Sequence, residues 1–231
     1  MSQTPQEQTP AQPNRRMTIV DFMTIGIFFV INMVVGVIIA FIGITPITYV
    51  MITPLQAIIL GIPMMLFFSK VRKPGMLLVF EILTGLVSIL LGLGPFVLVS
   101  GVIMALIGEF VLYTGDYRSA GRSVIAYALI ALASTATYIP LFFATESYLA
   151  SDVKGRYGDD YLQGLTEIGH MSWVFAVIIV GTFLCGILGG LLGQRIFNKH
   201  FRRAGEAVHI DDLLENLLAL LLLDEEIHLR L

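Results

Sequence analysis

The sequence predicts an all-α, polytopic membrane protein, a bundle of six transmembrane helices. Of its 231 residues 56% are hydrophobic and 13% charged, more apolar surface than one soluble domain of that length can hide in a core. Six runs approach the roughly 20 apolar residues that a hydrocarbon layer about 30 Å thick requires of a spanning helix. No run alternates with period two over ten-residue segments, which excludes a transmembrane barrel, and no long internal repeat marks an inverted-repeat transporter.

Residues 1–16, MSQTPQEQTPAQPNRR, are rich in Gln, Pro and Thr and are expected to be a disordered tail. The transmembrane domain then runs over 17–205, with spans at 20–43, 47–69, 76–93, 95–114, 123–145 and 172–197. The first span is too long for a signal-peptide core and has no clear small-residue cleavage site, so it is expected to stay in the mature protein. It carries Asn32, and the second carries Gln56, uncharged polar groups suited to bonding across helices. Pro54 and Pro63 remove backbone donors from the second span and predict bends, tolerated in lipid only against protein or a cavity. The third and fourth spans hold the intramembrane acids Glu81 and Glu109. Segment 146–171 is the one sizeable polar connection, and its Tyr148, Tyr157, Tyr161, Asp152, Asp159, Asp160 and Glu167 suit an ordered cap or a solvated linker. In the sixth span GILGGLLG offers the small-residue pairs Gly186/Gly190 and Gly189/Gly193, read as internal packing ahead of a subunit interface. The Leu-rich tail 206–231 is too short in its apolar part to span and reads as an interfacial or partner-docking helix, or as a non-native extension.

Cations set the orientation. Arg15 and Arg16, Lys70, Arg72 and Lys73, Arg118 and Arg122, and Arg195, Lys199, Arg202 and Arg203 fall on one side, against Lys154 and Arg156 on the other. By the positive-inside rule both termini face the cytoplasm, while the turns near Thr45 and Gly94 and the segment 146–171 face outward.

The net charge of −3 and the scattered basic groups do not suit nucleic acid as a partner. A lone cysteine, Cys185, excludes an intramolecular disulfide and a Cys-rich metal site. GxxxxGK[ST], HExxH and GxSxG are all absent, so neither ATP hydrolysis nor zinc or serine hydrolysis is expected, and no cofactor or metal is called for. Glu81 and Glu109 have two readings. An intramembrane carboxylate is a functional candidate, but pairing of Glu81 with Lys70, Arg72 or Lys73, and of Glu109 with Arg118 or Arg122, is the favoured structural one. His170 suits an interfacial hydrogen-bonder better than a ligand, and His200, His209 and His228 lie in the cytoplasmic tail.

The runs TIGIFFVINMVVG, AIILGIPMMLFFSKVRKPG, LLGLGPFVLVSGVIMALIGEFVLYTGDYRS and GILGGLLGQRIFNKHFRRAGEA resemble the Trep_Strep family of bacterial integral membrane proteins, related to the substrate-binding S components of energy-coupling factor (ECF) transporters. The resemblance covers about Asp21 to Ala207. It implies an S-component-like six-helix bundle in a bacterial plasma membrane, without enzymatic activity. Such a subunit binds a small nutrient, typically a vitamin or metal ion, and works with a coupling membrane subunit and two ATPase subunits. Many S components dock through an Ala-xxx-Ala pattern in the first helix, whose nearest match here is Gly36-xxx-Ala40, toward the outward end. An intramembrane enzyme using Glu81, Glu109 or His170, and a structural or assembly subunit, are the rival readings.

A bend at Pro54 would turn Tyr49, Thr53 and Gln56 toward a shallow outward cavity closed by the cap. Tyr148, Tyr157 and Tyr161 then offer stacking faces, Asp159 and Asp160 carboxylates, and His170 and Trp173 stand where the cap re-enters the membrane. In this outward-pocket picture Glu81 lies away from the ligand.

Overall fold

The computed structural model describes residues 17–145, 149 and 158–196. Outside them lie the tails 1–16 and 206–231, cap residues Tyr148, Asp152, Lys154, Arg156 and Tyr157, histidines His200, His209 and His228, and the cations Arg15, Arg16, Lys199, Arg202 and Arg203.

Each of the six apolar runs is helical, but the six-span count becomes four or five. Among the described residues four helices are long and apolar enough to cross a membrane: α1 (Ile19–Ala40), α6 (Phe96–Tyr113), the compound helix Ala120–Phe143, and α10 (Ser172–Ile196). The second run divides into α2 (Pro46–Val50), α3 (Ile52–Ile59) and α4 (Gly61–Lys70). Its α3 and α4 meet at 45° and count as a fifth span if taken together. The third run, α5 (Met76–Leu90), has only 15 residues, about 22 Å at 1.5 Å per residue, short of a full crossing.

Proline placement accounts for the breaks. Pro54 sits in the first turn of α3 and has no N–H for the carbonyl of Val50, so the chain breaks at Met51. Pro63 does the same to the carbonyl of Ile59, and the bend falls at Leu60. Two tyrosines bond carbonyls beside these breaks. Tyr138 donates to the Tyr49 carbonyl at 2.8 Å and Tyr127 to the Ala57 carbonyl at 2.7 Å. Both come from the compound helix, which runs as α7 (Ala120–Ala133), a 3-10 stretch (Ser134–Tyr138) and α8 (Ile139–Phe143). Ser134 and Thr135 hydroxyls bond carbonyls three residues back, at Ala131 and Leu132, and Pro140 lacks a donor, which together tighten that turn.

Glycines set how closely the last helix approaches its neighbours. A β-carbon on Gly189 would strike the backbone of Ala57 and Ile58, and one on Gly61 would strike Gly189. On Gly186 it would stand 2.9 Å from the Ala128 Cα. The GILGGLLG stretch therefore packs α10 internally against α3, α4 and α7, as its spacing predicts. Thr53 and Thr182 hydroxyls meet at 3.3 Å across the same contact.

Two apolar clusters result. One holds Phe28, Phe67 and Phe80, with Phe67 5.6 Å from Phe28 and 5.4 Å from Phe80 between ring centroids. The other, toward the turns at 41–45 and 91–95, holds Val50, Tyr138, Leu141, Leu165 and Ile178. Leu165 reaches it from α9 (Asp159–Gly169), which packs on α2 and α8. The ordered-cap reading thus holds for this half of 146–171: Tyr161 donates to the Gly43 carbonyl at 3.2 Å, so α9 lies over the turn at 41–45. At the other end Asp21 accepts from the Thr18 backbone and hydroxyl and from Lys73, each at 2.6 Å, which ties the start of α1 to the tribasic turn.

Candidate functional site

Between the two clusters lies a cavity of about 310 Å³, bounded by Met64 and Phe80 on one side and by Tyr49 and Tyr138 on the other. Five elements supply its polar groups, α2 giving Tyr49. From α1 comes Asn32, with Gly36 and Ala40 further along the same helix. From α3 come Thr53 and Gln56. From α5 come Glu81, Thr84 and Ser88, spaced i, i+3, i+7 so that they share one face. The compound helix adds Tyr127, Ser134, Thr137 and Tyr138 with the same helical period. Leu91, Leu93 and Val97 close the end near the turn at 91–95.

The amides are oriented by backbone acceptors. Asn32 Nδ2 donates to the Phe28 carbonyl at 2.9 Å and toward Met64 Sδ at 3.5 Å, while Gln56 Nε2 donates to the Gly36 carbonyl at 3.0 Å, tying α3 to α1. The cross-helix bonding expected of Asn32 and Gln56 is present. Gly36 and Ala40 lie along this cavity, with Gly36 engaged by Gln56.

Glu81 is the group that the favoured sequence reading misplaced. It is 3% exposed, and its carboxylate makes no ion pair or hydrogen bond with any described residue. No fully buried side-chain nitrogen or oxygen among the described residues lacks a partner, so the Glu81 carboxylate is open to the cavity it lines. Lys73, one of its expected partners, is bound to Asp21 instead. Glu109 also departs from expectation: it accepts from the Leu77 backbone at 2.8 Å and from the Tyr117 hydroxyl at 2.6 Å, and Arg122 donates to the Thr114 carbonyl. The free N–H groups at the start of α5 draw Glu109 there.

Of the residues singled out from sequence, Tyr49, Thr53 and Gln56 line the cavity. Asp159 and Asp160 do not: they are exposed in the first turn of α9, where carboxylates suit the positive end of a helix. His170 and Trp173 are exposed and outside the lining, Trp173 at 66%. Tyr148 and Tyr157 lie outside the described residues. Sequence reasoning missed Thr84, Ser88, Tyr127, Ser134, Thr137 and Tyr138. The periodic alignment of polar residues with Glu81 on α5 was the available signal.

The family model described as hypothetical bacterial integral membrane protein (Trep_Strep) matches residues 19–203. No curated protein and no solved structure matches the chain.

Proposed function

The chain belongs to the Trep_Strep family of bacterial integral membrane proteins, and on that premise we propose that it is the substrate-binding subunit of an ECF-type importer for a small nutrient. The observation that carries this reading is the cavity itself. It lies among apolar helices, is walled mainly by hydrophobic side chains and holds a few placed polar groups. Ligand sites have that composition, and their volumes run from roughly 300 Å³ upward, so this one suits a small molecule. Its lining reaches Tyr49 in α2 and the turn residues Leu91 and Leu93, which gives a ligand an approach from that end, in a bacterial plasma membrane with cytoplasmic termini.

In this function the chain binds and does not hydrolyse. A separate coupling membrane subunit and two ATPase subunits supply the energy, because GxxxxGK[ST] is absent from the sequence. The test is uptake into proteoliposomes of a small molecule that co-purifies with the protein. Accumulation is expected only when the coupling subunit, the ATPases and ATP are all present; ATP-dependent accumulation by this chain alone overturns the proposal.

A further inference from the structure

We infer that the cavity selects a small organic cation, with Glu81 as its counter-charge. The inference rests on the binding role proposed above, and on two properties of the lining. The first is charge. Glu81 is the sole charged residue among the lining residues, with no Lys, Arg or His beside it. It is 97% buried by its 3% exposure, and its carboxylate faces the cavity without a described partner. Once ionised, an intramembrane carboxylate so placed calls for a positive partner, and the protein supplies none among the described residues.

The second property is the balance of hydrogen-bonding groups. The donors around the cavity are largely committed to the protein. Asn32 Nδ2 bonds Phe28 and Met64, Gln56 Nε2 bonds Gly36, and the Tyr127 hydroxyl bonds Ala57. Ser88 and Ser134 hydroxyls donate to carbonyls of their own helices. A second Gln56 N–H and the Thr137 hydroxyl can still donate, but the larger part of what remains is acceptor: the two oxygens of Glu81 and the amide oxygens of Asn32 and Gln56. Because backbone carbonyls hold the amide nitrogens, those oxygens cannot exchange places with them without losing bonds. A ligand that donates hydrogen bonds and carries positive charge completes this set; an anion or a pure acceptor does not.

The volume separates an organic cation from a bare metal ion. About 310 Å³ walled mainly by apolar side chains is far larger than an ion needs. A hard divalent ion would take several carboxylate or carbonyl oxygens, and no group of three or more His, Cys, Asp or Glu suited to a metal occurs among the described residues. Phe80, Met64 and Val97 instead offer an apolar body a surface while its charged end meets Glu81.

The experiment uses the full chain in lipid nanodiscs with a chelator present. A bacterial small-molecule extract is split by ion exchange into cationic, neutral and anionic fractions, and the thermal stabilisation of the protein by each is measured. The cationic fraction is expected to raise the melting temperature and the other two to leave it unchanged. Glu81→Gln is expected to need at least about tenfold more of that fraction for the same shift, while Glu81→Asp, which keeps the charge, falls between. Stabilisation by the neutral or anionic fraction, by none, or equally of wild type and Glu81→Gln overturns the inference. The fraction comparison is read on wild type, so it stands even if a variant does not fold. Charge-selective binding without ATPase-dependent uptake would leave this inference intact and remove the importer role.

Discussion

Gly101 lies directly against Glu81: a β-carbon on Gly101 would stand 2.9 Å from Glu81 Oε2. The next atoms are further off, with the Glu81 Cβ at 3.5 Å, so the crowding falls on the movable end of the side chain. Helix α6 thus makes room for one oxygen of the carboxylate by offering it a site without a side chain. Gly101→Ala is therefore expected to fold and keep its stability within about 1 kcal/mol, since the better helix propensity of Ala offsets the contact. It should nevertheless weaken binding of the stabilising fraction several-fold by turning the carboxylate. Titration and melting of the same sample check this, and unchanged binding would show that the orientation of Glu81 does not matter.

The tyrosines at the helix breaks give a second prediction. Tyr127→Phe removes the bond to the Ala57 carbonyl, and Tyr138→Phe the bond to the Tyr49 carbonyl, without removing the ring. Hydrogen bonds between membrane helices contribute about 0.6–1.7 kcal/mol each. Each variant should lose that much, measured by reversible unfolding in mixed micelles, and the double variant should lose roughly the sum because the carbonyls belong to different breaks. Neither change altering stability would mean that water satisfies those carbonyls equally well.

The positions of the helices were legible because apolar length is a one-dimensional property. Pro54 and Pro63 announced the breaks for the same reason: a missing donor acts locally, whatever surrounds it. GILGGLLG announced close packing, though not that Gly189 would cross Gly61. The number of full spans was less legible, since a run long enough to cross can bend by 45° at Leu60 or end early, as α5 does at Leu90. The cavity was half legible. Tyr49, Thr53 and Gln56 follow from a kinked polar stretch, but the role of Glu81 depends on where Lys73 goes, and Lys73 is taken by Asp21 from another helix. A choice between two carboxylates for one lysine is made in three dimensions, and sequence spacing does not register it.

The Gly61 and Gly189 crossing supplies a third prediction. A methyl at Gly189 meets the carbonyl oxygens of Ala57 and Ile58, backbone atoms that cannot step aside as a side-chain end can. Gly189→Ala is expected to cost about 3 kcal/mol, the upper part of the range for overpacking. Gly181→Ala on the same helix meets nothing within 4 Å and should be neutral or stabilising by up to about 1 kcal/mol. Unfolding of the two variants side by side checks this, and equal stability would mean that α10 sits further from α3 than described.

The last prediction sets the cavity against the cap. Two groups of residues compete for the ligand: Gln56 and its neighbours inside the bundle, and Asp159 with Asp160 at the start of α9. Both acids are exposed, and an exposed charge facing water is screened and contributes little to holding a ligand. Gln56 is half-buried, lines the cavity and ties α3 to α1 through the Gly36 carbonyl. Gln56→Ala removes a cavity acceptor and releases that tie, so it should weaken binding at least about tenfold, near 1.4 kcal/mol. Asp159→Asn with Asp160→Asn should leave affinity within about twofold, since the pair acts at most through the helix terminus. Titration of the cationic fraction into both variants decides between the sites. A tenfold loss in the acid pair with normal binding in Gln56→Ala would move the ligand out of the bundle and onto the cap.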